Sequence, residues 1–106
     1  MEINVSEKDR QITVRLSGDI YVEQADELLD VFNSIIEKKP EEVVIDLAKL
    51  KSITSSGIGK IVLLYKGLQK NKGILKIVGV NDTIMQIFKI VKLDRLVEVF
   101  GSQPGS

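Results

Sequence analysis

Cysteine, histidine and tryptophan are absent from this chain, and each absence removes a class of chemistry. Without cysteine there is no disulfide framework and no thiolate nucleophile; without histidine there is no imidazole base; without both, the ordinary zinc ligand sets are missing. Most hydrolase mechanisms go with them. Aromatic residues are few, two tyrosines and three phenylalanines, and with no cluster of arginines they make a poor face for nucleic acid. Long apolar runs are lacking as well: Ile61 to Tyr65 is among the longest, whereas a bilayer span needs about 20 residues. The opening Met1-Glu2-Ile3-Asn4 does not read as a secretory leader, so the expected location is cytoplasmic, with no membrane contact.

What is present suits one ordinary globule. Of 106 residues, 43% are hydrophobic and 28% charged, enough to bury a core without staples. Fifteen acidic residues balance fifteen basic ones, but unevenly along the chain. Residues 1–50 hold twelve Asp/Glu against six Lys/Arg, and residues 51–106 hold three against nine. Within one domain this means an acidic helix beside a basic one.

Periodicity then sets the order of elements. Ile3 and Val5 alternate, as do Ile12, Val14 and Leu16 after a polar turn, which predicts a hairpin whose second strand ends at Gly18-Asp19. From Val22 to Lys38, Ala25, Leu28, Leu29, Phe32, Ile35 and Ile36 fall on one helical face, with acids early, lysines late and Pro40 as the stop. Val43 to Leu47 reads as a buried strand, Ala48 to Ile53 as a connection, and Ser56 to Lys72 as a second helix, with Gly73 a candidate C-terminal cap. Ile74 to Val80 is a further strand. Asn81, Asp82 and Thr83 offer caps to a third helix facing inward with Ile84, Met85, Ile87, Phe88 and Val91, and Leu96 to Phe100 is a short strand or helix. Strand, helix, strand in this order implies right-handed crossovers and parallel pairing. The expected fold is α/β, a mixed and mostly parallel sheet of four to five strands with three to four helices, occupying residues 1–100 with a flexible tail at 101–106.

The chemistry-bearing stretch is Thr54-Ser55-Ser56-Gly57-Ile58-Gly59-Lys60, hydroxyls meeting glycines where a helix begins. Unpaired N–H groups and a positive dipole end favour a capping hydroxyl or an added anion there, and the glycines leave room for another protein's backbone. From local sequence alone the simpler reading is a plain N-cap at Thr54 or Ser55, with glycines that only ease packing. A nucleophilic elbow is not supported, since Thr54 replaces the first glycine of Gly-x-Ser-x-Gly and no histidine exists. Thr54 and Ile61 likewise break a Walker A pattern, and Val62 breaks a dinucleotide fingerprint. Asp19 and Asp46 could pair at a sheet edge around a cation, although an aspartate at a strand end more often accepts N–H groups of the following loop.

The run Val44-Ile45-Asp46-Leu47 followed by Ile53-Thr54-Ser55-Ser56-Gly57-Ile58-Gly59, with Leu16-Ser17-Gly18-Asp19-Ile20 upstream, resembles the STAS domain of bacterial anti-sigma factor antagonists. The resemblance implies a STAS-like fold and a non-enzymatic regulator without cofactors. It implies that the chain captures an anti-sigma factor, often a serine kinase that itself binds ATP, and so frees a sigma factor. Phosphorylation would end the capture and a phosphatase would reset it. The acceptor maps onto Ser56, and Thr54, Ser55, Ser56, Gly57, Ile58 and Tyr21 map onto the partner-binding face. Thr54 and Tyr21 stand where family members commonly carry carboxylates, which brings Ser55 and Thr54 in as alternative acceptors. The other function open to such a domain is a binding or scaffold module for a nucleotide, a lipid or a larger assembly.

Overall fold

The computed structural model describes residues 1–101. In chain order it contains β1 (Glu2–Lys8), β2 (Gln11–Ile20), α1 (Val22–Glu37), β3 (Glu42–Ile53), α2 (Ser55–Lys70), β4 (Ile74–Val80), α3 (Asp82–Ile90), a 3₁₀ turn (Leu93–Arg95) and β5 (Glu98–Gly101). One sheet runs β1-β2-β3-β4-β5, antiparallel at the β1/β2 hairpin and parallel from β2 onward. The hairpin turns at Asp9 and Arg10, both with positive φ, 52° and 69°, as a two-residue turn matched to strand twist requires.

Because each parallel step moves in the same direction across the sheet, right-handed crossovers place all three α-helices on one face. The burial pattern agrees. Ile12, Val14, Leu16, Val43, Ile45, Leu47, Leu75 and Ile77 are buried, while the alternate residues Thr13, Arg15, Val44, Asp46, Lys76 and Val78 are not. Leu28, Phe32 and Ile35 of α1, Ile61, Leu64 and Leu68 of α2, and Ile84 and Phe88 of α3 fill the layer between. The acidic helix does lie beside the basic one: α1 and α2 pack together, α1 carrying five acids and α2 three lysines.

Several boundaries differ from the sequence reading. Ala48 to Ile53 is strand, not a connection, and β2 continues past Gly18-Asp19 to Ile20. Register shows why: between the pairs Arg15↔Asp46 and Ser17↔Lys49, and again between Gly18↔Leu50 and Asp19↔Ser52, β3 spends one residue more than β2. These are bulges, and they reset the alternation so that the buried residues become Leu47, Leu50 and Ile53. Gly18, at φ 84°, takes the bend.

At the end of α2, the helix stops at Lys70 and Lys72, at φ 62°, holds the left-handed position expected of Gly73. Gly73 instead donates its N–H to Leu68 O at 2.8 Å. Val91 caps α3 and is exposed, contrary to its expected inward place. Gly101 pairs with Val80 as the last residue of β5, so the tail does not begin there; residues 102–106 lie outside the described residues.

Candidate functional site

The C-terminal ends of β2 and β3 lie side by side, Ile20 paired with Ile53, and each strand passes directly into a helix. Tyr21 is the N-cap residue of α1 and Thr54 that of α2, both in extended backbone. Thr54 N–H donates to Ile20 O at 3.1 Å, which fastens the two caps together. At the first, Tyr21 N–H donates to Gln24 Oε1 at 2.9 Å. At the second, Thr54 Oγ1 accepts from Gly57 N–H at 3.4 Å and Thr54 O accepts from Ile58 N–H at 3.1 Å. Below them Ser52 Oγ donates to Asp19 Oδ1 at 2.5 Å, a further tie between the strand ends.

All six residues singled out from sequence therefore meet at one corner, with different exposures. Tyr21 and Ser55 are exposed, Thr54 and Ser56 are half-buried, and Gly57 and Ile58 are buried. The buried pair explains the tightness of the turn. A Cβ on Gly57 would stand 2.8 Å from Ile53 Cγ1 and 2.9 Å from Ile20 Cγ2, so the first turn of α2 can rest on the strand ends only through glycine. Ile58 then enters the core and fixes which way the serines face.

Sequence reasoning missed Val22, an apolar side chain 63% exposed next to Tyr21 at 50%. Its position at the first turn of α1, ahead of the buried face that starts at Ala25, was the available signal. The carboxylates proposed as a cation pair are not together. Asp46 accepts from Ala48 N–H at 2.9 Å and pairs with Arg15 at 3.5 Å, while Asp19 lies four residues further along β2 from that register, about 13 Å by strand rise. Among the described residues no three of Asp and Glu gather as a metal site would require. No helix is long and apolar enough to cross a membrane among them.

The start of α2 thus offers an exposed serine at a positive helix end, on the same corner as the start of α1 with its exposed Tyr21 and Val22. An anion added there is stabilised by the dipole and by N–H groups, so a charge can be placed without unfolding the helix.

Comparison with known proteins follows the same lines. The STAS domain model matches residues 2–103. The anti-sigma-B factor antagonist of Staphylococcus aureus is 27% identical over 99 residues, 93% of this chain and 92% of that protein. The crystal structure of an anti-sigma factor antagonist from Mycobacterium paratuberculosis superimposes with a TM-score of 0.86 at 21% identity, covering 97% of this chain and 87% of that one. SpoIIAA, an anti-sigma factor antagonist, has the same fold in its unphosphorylated form, with a TM-score of 0.82 at 15% identity over 92% of this chain and 87% of its own. In its phosphorylated form, from Bacillus, the TM-score is 0.76 at 14% identity over 92% and 90%. The chain belongs to the STAS domain family, and over most of its length its relatives are anti-sigma factor antagonists, non-enzymatic regulators that act on an anti-sigma factor.

Proposed function

We propose that this chain is a phosphorylation-controlled anti-sigma factor antagonist: unphosphorylated, it binds an anti-sigma factor that is itself a serine kinase, and a phosphate at the start of α2 ends the binding. The observation that carries the reading is the exposed serine at the first position of α2, on a corner where the start of α2 is hydrogen-bonded to the strand end that leads into α1. Kinase, ATP and the resetting phosphatase belong to the partners.

The resemblance assigns the phosphate to Ser56, but exposure favours its neighbour. Phosphoryl transfer needs the attacking hydroxyl in line with the γ-phosphate, hence an open approach. Ser55 is exposed and Ser56 half-buried, so Ser55 is the acceptor of this reading and Ser56 the second choice. Phosphate adds about −1.5 to −2 charges at the centre of the docking surface. A partner packed on Tyr21 and Val22 then faces an uncompensated, partly desolvated dianion, which opposes binding. Thr54, Ser56, Gly57 and Ile58 support that surface from the rim and from beneath.

The test is incubation with the captured anti-sigma factor, ATP and magnesium, followed by peptide mass spectrometry of residues 52–60. Phosphate on Ser55 is the expected result; phosphate on Ser56 selects the second choice. An unmodified peptide, or an Asp substitution at the serine found modified that leaves binding as tight as the parent's, removes the switch.

A further inference from the structure

Gly59 has no reason to be glycine within this chain. The glycines on either side of it along α2 are explained: a Cβ at Gly57 would press on Ile53 and Ile20, and one at Gly67 would collide with Ile36. At Gly59 an added Cβ meets nothing within 4 Å, and the residue is exposed in the body of a helix, where glycine is weaker than alanine.

A second observation lies one turn further on, in the groove between α1 and α2. Its α1 wall is uncharged, made by Leu29, Asn33 and Ile36, and its α2 wall carries Leu63, Lys66 and Lys70. Leu63 is 47% exposed. Lys66 and Lys70 are one turn apart on one helix, an arrangement in which like charges repel, and neither they nor Lys60 has an acidic partner among the described residues. A row of unpaired cations beside an exposed leucine and an apolar wall complements an acidic segment that carries its own apolar stripe.

We infer that the groove from Gly59 to Lys70 seats an acidic amphipathic segment of the anti-sigma factor, with Gly59 the point where the two backbones come closest. The inference rests on the proposed function and extends it. A phosphate on Ser55 places negative charge at the end of the groove where this segment passes, so repulsion acts on an acidic chain already held there by lysines. None of the five acids of α1 lines the groove.

Three variants and one melt test it. Gly59→Ala should raise the melting temperature of the isolated protein by about 4 °C, because the helix gains and nothing is displaced; a fall reveals an internal role for the glycine and overturns the inference. With the dephosphorylated protein and its captured anti-sigma factor, titration calorimetry should show at least tenfold weaker binding for Gly59→Gln and for Lys66→Glu/Lys70→Glu, with circular dichroism unchanged. Both variants binding like the parent overturns the groove. If Asp at the modified serine loses binding while they keep it, the switch stands and the groove falls; if they lose binding while that Asp variant keeps it, the groove stands and the switch falls. A dephosphorylated bait that captures no anti-sigma factor overturns both.

Discussion

Two glycines two positions apart in α2 have opposite physical reasons, and single substitutions separate them. Gly57 is held between Ile53 and Ile20, so Gly57→Ala must push one of them aside. Overpacking of this kind costs about 1–3 kcal/mol, which urea unfolding should report as a lower midpoint. Thr54 is a weaker case. Its cap bond to Gly57 N–H is long at 3.4 Å, so Thr54→Ala should lose only about 0.5 kcal/mol, the low end for N-cap removal. Thr54→Asp places a charge-assisted cap at the same point and should gain about as much in the same assay. A Thr54→Ala loss above about 2 kcal/mol would mean that the hydroxyl carries more than the cap.

The helix ends share a device at the level of elements. After each of α1, α2 and α3 a lysine sits in the left-handed region: Lys39 at φ 51°, Lys72 at φ 62° and Lys92 at φ 62°. For an L-residue with a Cβ this conformation is disfavoured by roughly 1–2 kcal/mol, and glycine removes that strain while giving back part of it as unfolded-state entropy. Lys72→Gly and Lys92→Gly should each stabilise the fold by about 0.5–1 kcal/mol in denaturant titration, and an unchanged or lowered midpoint would show that the lysine side chains contribute more than the strain removes. Positive charge near the helix C-termini is the contribution they make in place. β3 is the other element with a local peculiarity. Its two bulges lengthen it past Leu47 and carry Ile53 level with Ile20, and this extension delivers Thr54 to the side of Tyr21.

For the whole molecule the stability rests on one apolar layer. Phe32 and Phe88 are among the largest fully buried side chains, and among the described residues no polar side chain is buried. Phe32→Ala should therefore cost about 3–5 kcal/mol, a large part of the 5–15 kcal/mol that holds a domain of this size. Among the described residues the Arg10–Glu41 and Lys38–Glu7 ion pairs are largely exposed and the Arg15–Asp46 and Lys76–Glu42 pairs are at least part-exposed, so screening leaves them a modest influence on the fold. The proposed switch lies outside that layer. Ser55→Asp should leave the circular dichroism spectrum intact and the melting temperature within a few degrees of the parent, because the new charge sits at a favourable helix end. A cooperative loss of structure in Ser55→Asp would make the effect on binding one of unfolding, not of the interface.

Read from its residues alone, the chain already determined its helices, its hairpin and the parallel order of its strands. Apolar spacing of 3.6 and 2 is a local property, and one-sided burial demands those patterns at α1, α2, α3, β2 and the first half of β3. The hydroxyl and glycine run at 54–60 was legible too, since a capping hydroxyl and a permissive glycine act within one helical turn. Tertiary structure alone decided three things. A bulge exists only against a neighbouring strand, so the spacing Leu47, Leu50, Ile53 looked like a loop until β2 stood beside it. The separation of an exposed Ser55 from a half-buried Ser56 depends on Ile58 and Gly57 anchoring the helix on Ile20 and Ile53, residues from two strands. And the difference between a glycine that the fold requires and one that it does not, Gly57 against Gly59, is a matter of which atoms come near, and residues as distant in sequence as Ile20 supply them.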